Sequence, residues 1–381
     1  MLNQSFVQST PKRQFEKDVF SSAEILLNGK ADTVIVNSFN EWDPLEEVVV
    51  GRADYACVPE WHAILEATMP SNQWHFFKEK GGQYFSQKLL EAAAQELDGL
   101  VDILKSEGVI VKRPEPIDWG TAFSTPDFEQ PAGLYAAMPR DFLLVVGNEI
   151  IEAPMAWRSR YFEFMAYRPL LKEYFYQGAK WTMAPKPQLS EALYNYDFDI
   201  KKEESVITEF EPVFDAADFM RCGYDIFCQK SQVTNQFGID WLQRHLGPEY
   251  RIHVLNFNDP KAMHIDATFV PLAPGRLLLN AERATKLPSM FDSWEILTPP
   301  LPVIPDEHPL YFTSKWLSVN VLSLDEKRIL VEAQEKPMID FLKAHGFEPI
   351  PVPFRNFMSL GGAFHCATCD IRRRGGPQSY F

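Results

Sequence analysis

The chain has 381 residues, 46% hydrophobic and 13% aromatic, which suffices for a large core in two or three domains or in one barrel- or propeller-sized unit. A net charge of −15 argues against a nucleic-acid surface, and no run of eighteen uncharged apolar residues offers a membrane span. Five cysteines are too few, and odd in number, for a disulfide framework; with no basic-then-apolar start at Met1, the expected setting is a reducing cytoplasm.

Residues 1–35 are weakly periodic and read as a partly ordered extension, with order expected from Val36 in a single domain, 36–381. Leu45 to Gly51 is a strand with a glycine stop. From Ser86 to Gly108 the residues Leu89, Leu90, Ala93, Leu97, Leu100, Ile103 and Leu104 recur at helical spacing, and a strand follows from Val109. Strand, turn and strand then recur three times: Phe142 to Pro154 about Gly147, Ala267 to Asn280 about Gly275, and Asn320 to Ala333 about Asp325. The first leads into a helical pattern from Tyr161 to Tyr174, and the third into one from Lys336 to Ala344. Such units cannot bury both faces alone, so several must share one core in a radial α/β arrangement of ββα-type units.

Three stretches concentrate chemistry. Gly361 and Gly362 let the backbone turn tightly before Phe364, His365 and Cys366, a way to hold a thiol at a pocket mouth. Cys366 and Cys369 also form a C-x-x-C. A zinc knuckle would need a second ligand pair, and Cys222 and Cys228 are poorly spaced for one. A thioredoxin-type pair would follow the first strand of its fold and not lie at the C-terminus. A nucleophilic Cys366 with a distant histidine is the better reading. His264 and Asp266, two apart at the entry to an expected strand, would share a face and either exchange protons or satisfy each other structurally. Glu209, Glu211, Asp215 and Asp218 lie among phenylalanines and call for a cation, either a metal or a planar guanidinium. The run Arg372 to Arg374 reads as a solvated or ion-paired edge.

Asn40-Glu-Trp-Asp-Pro-Leu-Glu-Glu, Met138-Pro-Arg-Asp, Gly147-Asn-Glu-Ile-Ile-Glu-Ala-Pro-Met-Ala, Phe214-Asp-Ala-Ala-Asp-Phe, Met263-His-Ile-Asp-Ala-Thr and Phe364-His-Cys-Ala-Thr-Cys-Asp together resemble the arginine:glycine amidinotransferase family. The resemblance runs in the family's order from about Val36 to Phe381. It implies a single-domain α/β propeller of five pseudosymmetric ββαβ-type units. It implies transfer of an amidino group from arginine to an amine through an amidino-cysteine, with release of ornithine and no cofactor or metal. By matched motif Cys366 is the nucleophile, His264 the acid-base group and Asp215 its orienting carboxylate. Asp141 and Asp266 would hold the guanidinium. Arg283, Thr313 and Ser314 would receive the amino-acid end, with Met263 and Tyr135 also against substrate. The implied partners are small molecules, and relatives often form homodimers.

The chain departs from glycine-using members at Lys261-Ala-Met263, where they carry Asn-Pro-Met, at Thr313, where they carry serine, and at Ala367, where they carry tryptophan. Loss of that bulk beside the thiol suggests a roomier mouth and a longer acceptor, with lysine, giving homoarginine, ahead of glycine. Such relatives serve biosynthesis of guanidino natural products. The alternatives are a deiminase-like guanidine hydrolase of the same fold and a non-enzymatic redox or zinc module built on the C-x-x-C.

Overall fold

A computed structural model describes residues 35–284 and 286–381; the N-terminal extension expected over 1–35 lies, apart from Ile35, outside them. Fifteen strands build five three-stranded sheets. They are β1 (Leu45–Val50), β2 (Ile110–Lys112), β3 (Leu143–Val146), β4 (Glu149–Glu152), β5 (Lys180–Met183), β6 (Phe219–Cys222), β7 (Asp225–Gln229), β8 (Arg251–Leu255), β9 (Phe269–Ala273), β10 (Arg276–Leu279), β11 (Glu295–Leu297), β12 (Leu322–Ser323), β13 (Arg328–Glu332), β14 (Glu348–Val352) and β15 (Thr368–Arg373). In four sheets an antiparallel hairpin is joined by a third strand running parallel to the second: β3-β4-β5, β6-β7-β8, β9-β10-β11 and β12-β13-β14. The parallel step requires a crossover. Helices α2 (Phe164–Tyr176), α3 (Gln236–Leu246) and α4 (Lys336–Ala344) make three of them, and a turn at Ser289–Phe291 marks the fourth. In the fifth sheet β15, from the C-terminus, pairs antiparallel with β1, and α1 (Gln87–Ser106) carries the chain across to parallel β2. The last strand therefore closes the first unit, and the fold is a pseudosymmetric α/β propeller.

The expected elements and the observed ones agree closely at β1, α1, the β3–β4 hairpin and α4. Ser86 caps α1, accepting from Leu89 N at 3.3 Å, and Ala93, Leu97, Leu100 and Leu104 form its buried stripe. Four differences matter. The strand expected from Ala267 begins at Phe269, because Ile265–Ala267 coil into a 3-10 turn. The strand expected over Asn320 to Leu324 shortens to β12, since Asn320 spends its side chain on the loop before β15. Helix α2 starts at Phe164 and not Tyr161, after a 3-10 turn at Arg158–Arg160. The sheet β6-β7-β8 was not foreseen at all: buried Arg221 interrupts what would otherwise be an apolar strand.

The sheets meet at a buried polar hub. Arg221 binds both oxygens of Glu41 at 2.7 Å, Asp370 at 2.9 Å and the carbonyl of Val145 at 3.0 Å, so β6 is tied to β3 and β15. Arg140 binds Asp370 at 2.7 Å, and Arg373 binds Asp370 at 2.8 Å and the Ser323 carbonyl at 2.9 Å. The basic run thus divides: Arg372 and Arg374 pair with Glu46 at an edge, whereas Arg373 is 1% exposed and belongs to the hub.

Candidate active site

Four short pieces of backbone deliver the reactive groups to one end of this hub. The helix Pro139–Phe142 starts on a proline, which suits its first position. Its consecutive residues diverge, Arg140 into the hub and Asp141 into a cleft. Asp215 ends an extended segment just before the 3-10 turn Ala216–Asp218, its N–H donating to Thr234 Oγ1 at 3.2 Å. His264 precedes the 3-10 turn Ile265–Ala267 with φ of +67°, a left-handed conformation rare outside glycine. That turn, and not a strand face, sets His264 and Asp266. Cys366 follows Gly361 and Gly362, and its N–H donates to Asn320 Oδ1 at 3.2 Å.

Both glycines are required. Gly361 has φ of +101°. A Cβ on Gly362 would lie 2.5 Å from Met138 Sδ and 2.6 Å from Cys366 Cβ.

Cys366 Sγ, a ring nitrogen of His264 and a carboxylate oxygen of Asp141 all lie within 4.8 Å of one another. Nε2 of His264 donates to Asp215 Oδ2 at 3.0 Å, which leaves Nδ1 facing Asp141 Oδ1 at 3.6 Å. The thiol donates to Asp266 Oδ2 at 3.3 Å and accepts from Asn320 Nδ2 at 3.2 Å. Burial, with Asp266 and Asp141 adding to it, pushes the thiol up to about 12, against the pull of His264. Burial opposes charge on His264, but Asp141 and Asp215 outweigh it and hold the imidazole well above its ordinary value. Burial raises Asp141 despite His264 and Arg160 beside it. Oδ1 of Asp141 and Oδ1 of Asp215 are buried without a hydrogen-bond partner, and of the two it is Asp141 that lines the cleft, where a multi-donor cation could satisfy it.

The cleft holds about 290 Å³ of empty space including its open mouth, lined by Tyr135, Asp141, Trp157, Arg160, Met263, His264, Phe312 and Gly361. Of the predicted residues, Asp141, His264, Met263 and Tyr135 line it, Cys366 lies within 4.8 Å of Asp141 and His264, and Asp215 and Asp266 bind His264 and Cys366 in turn. Arg283 and Ser314 meet at 3.2 Å, with Thr268 Oγ1 at 3.4 Å and Asp259 at 3.2 Å from the same guanidinium. Thr313 precedes Ser314 in a half-buried bend. The acidic cluster over Glu209 to Asp218 does not act as one site. Glu209 and Glu211 accept backbone N–H groups at the surface, and buried Asp218 binds Gln229, Ser231 and Thr234. Only Asp215 of the four reaches His264. Cys369 Sγ lies 3.5 Å from the Leu143 carbonyl, and all five cysteines are free. Ala367 is wholly buried in the core and does not line the cleft, so its small size opens no mouth there.

Residue patterns did not reveal Arg160, which binds Asp141 at 2.8 Å and both oxygens of Glu163, nor the role of Asn320 in gripping both N–H and sulfur of Cys366. Arg160 sits between two other polar residues with no periodic signal; His365, next to the cysteine, was visible but unassigned.

No family model matches the chain. It is 56% identical over 350 residues to the L-arginine:L-lysine amidinotransferase of Pseudomonas savastanoi pv. phaseolicola, covering 91% of this chain and 96% of that protein. It is 54% identical over 358 residues to the mitochondrial glycine amidinotransferase of Gallus gallus, covering 91% and 85%. The solved structure of SxtG, an amidinotransferase of the saxitoxin biosynthetic pathway from Microseira wollei, superposes with a TM-score of 0.86 at 51% identity, covering 91% of this chain and 99% of that one. With likeness of this extent in sequence and fold, the chain belongs to the arginine:glycine amidinotransferase family and is a transferase.

Proposed function

We propose that the protein moves the amidino group of L-arginine to the primary amine of lysine through an amidino-Cys366, releasing ornithine and forming homoarginine. The observation that carries this reading is the convergence of a thiol, an imidazole and a carboxylate within 4.8 Å at the end of a narrow cleft.

A guanidinium carbon resists attack because its charge is spread over three nitrogens. Asp141 and Asp266 would hold the plane of the group, with Asp141 Oδ1 free to accept an N–H. Arg283, Thr313 and Ser314 would take the amino-acid end of arginine. The thiol of Cys366 loses its proton to solvent as the cationic guanidinium docks, and the thiolate adds to the guanidinium carbon. The tetrahedral adduct breaks its bond to the ornithine nitrogen, which takes a proton from His264 as it leaves. The acceptor ammonium gives one proton to solvent, the neutral amine attacks the amidino carbon and passes its second proton to His264, and the carbon–sulfur bond breaks to restore the thiolate. Asp215 keeps Nε2 of His264 engaged so that Nδ1 does the exchange. Cys366 and His264 are both buried, which keeps water from hydrolysing the intermediate.

Lysine as acceptor is supported by the likeness to the Pseudomonas L-arginine:L-lysine amidinotransferase and by Lys261-Ala-Met263 in place of the motif of glycine users. Lys261 itself donates to the Met69 carbonyl at 2.9 Å and packs over Trp74, so it anchors the loop before His264. The reading places the enzyme in the cytoplasm, where five free thiols stay reduced, carries over the homodimer that relatives often form, and assigns a role in making a guanidino natural product. Incubating the protein with arginine and a panel of amines, and weighing the products, tests it. Homoarginine and ornithine are expected with lysine; guanidinoacetate from glycine alone would overturn the acceptor, and citrulline without any amine would overturn transfer.

A further inference from the structure

His365 takes no part in the steps above, yet it is 3% exposed and lies against Asp266. Its Nδ1 is 2.8 Å from Asp266 Oδ2, and its Nε2 is 3.3 Å from Glu41 Oε2. Both carboxylates accept from other donors as well: Arg221 binds both oxygens of Glu41 at 2.7 Å, and Asp266 Oδ2 takes the thiol of Cys366 at 3.3 Å. Burial would raise Asp266, but His365 and its other donors hold it below the usual carboxylate range. Arg221, His365 and Arg140 likewise outweigh burial at Glu41. A ring nitrogen facing a carboxylate must donate, because an ionised carboxylate has no proton to give. Two such faces require a proton on each nitrogen. Two cations stand near the ring and oppose its charge: Arg140 Nε donates to the His365 carbonyl at 3.3 Å, and Arg140 and Arg221 share Glu41 Oε2 with it at 3.5 and 2.7 Å, while Asp370 binds both arginines and Asp266 faces the ring from the other side.

Oδ2 of Asp266 accepts from His365 and from the thiol of Cys366 together. Once the thiol loses its proton, that oxygen faces a second anion across about the same gap. A cation on the far side of Asp266 is what makes the pairing tolerable. We propose that His365 is a positioning residue, an imidazolium clamped between Asp266 and Glu41 that keeps Asp266 anionic and aimed beside Cys366 and offsets the charge of the thiolate. The inference rests on Cys366 being the nucleophile of the proposed reaction.

The test is the pH dependence of Cys366 alkylation by iodoacetamide in the free enzyme, wild type against His365→Gln, which keeps a donor but not the charge. Loss of the cation is expected to slow alkylation about tenfold at every pH below the thiol midpoint, as a one-unit rise would. An unchanged profile in a folded variant would overturn the proposal. If the variant does not fold, neutron diffraction on the wild type decides: deuterons on both ring nitrogens of His365 are expected near neutral pD, and a single deuteron overturns the inference. Neither readout needs turnover, so a failed arginine assay would strike the proposed reaction and leave this test standing.

Discussion

A thiol pushed up to about 12 and an imidazole held well above its ordinary value are unpromising partners until substrate arrives. The free enzyme holds a neutral thiol beside a charged ring, and the guanidinium brings a further cation that favours the thiolate. Iodoacetamide labelling of free enzyme at Cys366 is therefore predicted to climb about tenfold per pH unit above neutrality, with no plateau near pH 7; a plateau there would show a preformed thiolate. Asp215→Asn should lower kcat by about a hundred- to ten-thousand-fold with little change in KM for arginine, since Asp215 touches His264 and not the cleft's substrate end. Much of this residue set was legible beforehand because short motifs carry it: Cys366, His264, Asp215, Asp141 and Asp266 all lie in stretches the resemblance covers. Arg160 and Asn320 were not, because their roles depend on contacts with Asp141 and Cys366 that no local spacing encodes.

Elements were legible where one periodicity ruled and hidden where a buried polar residue cut across it. The apolar stripe of α1 buries one surface against the core and the run of valines in β1 is buried on both faces, so pattern and structure coincide. Strand β6 carries Arg221 inward, and the turn at Ile265–Ala267 replaces the start of a strand, so periodicity pointed elsewhere. Two substitutions probe this scale. Leu100→Ala leaves a void under α1 and is expected to cost about 2–5 kcal/mol in urea unfolding while kcat stays near wild type. Gly362→Ala should do the reverse. Its Cβ would press on Cys366 Cβ and Met138 Sδ, so ornithine formation should fall at least tenfold with only a modest loss of stability.

For the molecule as a whole, the hub of Glu41, Arg140, Arg221, Asp370 and Arg373 joins the sheets that carry the cleft. The recurring hairpins pointed to units sharing one core, but not to a polar centre, since Glu41, Arg140, Arg221 and the Asp370–Arg373 pair of β15 come from segments far apart in the chain and meet only in three dimensions. Glu41 and Asp370 are held below their ordinary values by these arginines, against burial. Groups depressed in the folded state contribute stability above the ordinary carboxylate range and lose it as pH falls through their lowered values. Wild type should thus keep its melting temperature to moderately acid pH and fall steeply below. Arg221→Leu, which strips buried Glu41 of its bidentate partner and Asp370 of one of its three arginines, should cost about 3–5 kcal/mol at neutral pH. That penalty should shrink in acid, as a pH series of melts would show.

The account turns on a covalent bond from Cys366 to the carbon that arginine gives up. Acid-quenching the enzyme during turnover with arginine, followed by peptide mass spectrometry, reads it directly. The prediction is an added amidino group on the peptide holding Cys366, lost when lysine is supplied and absent, along with ornithine, in Cys366→Ala. Ornithine production that continues in Cys366→Ala, with no adduct in the wild type, would contradict it.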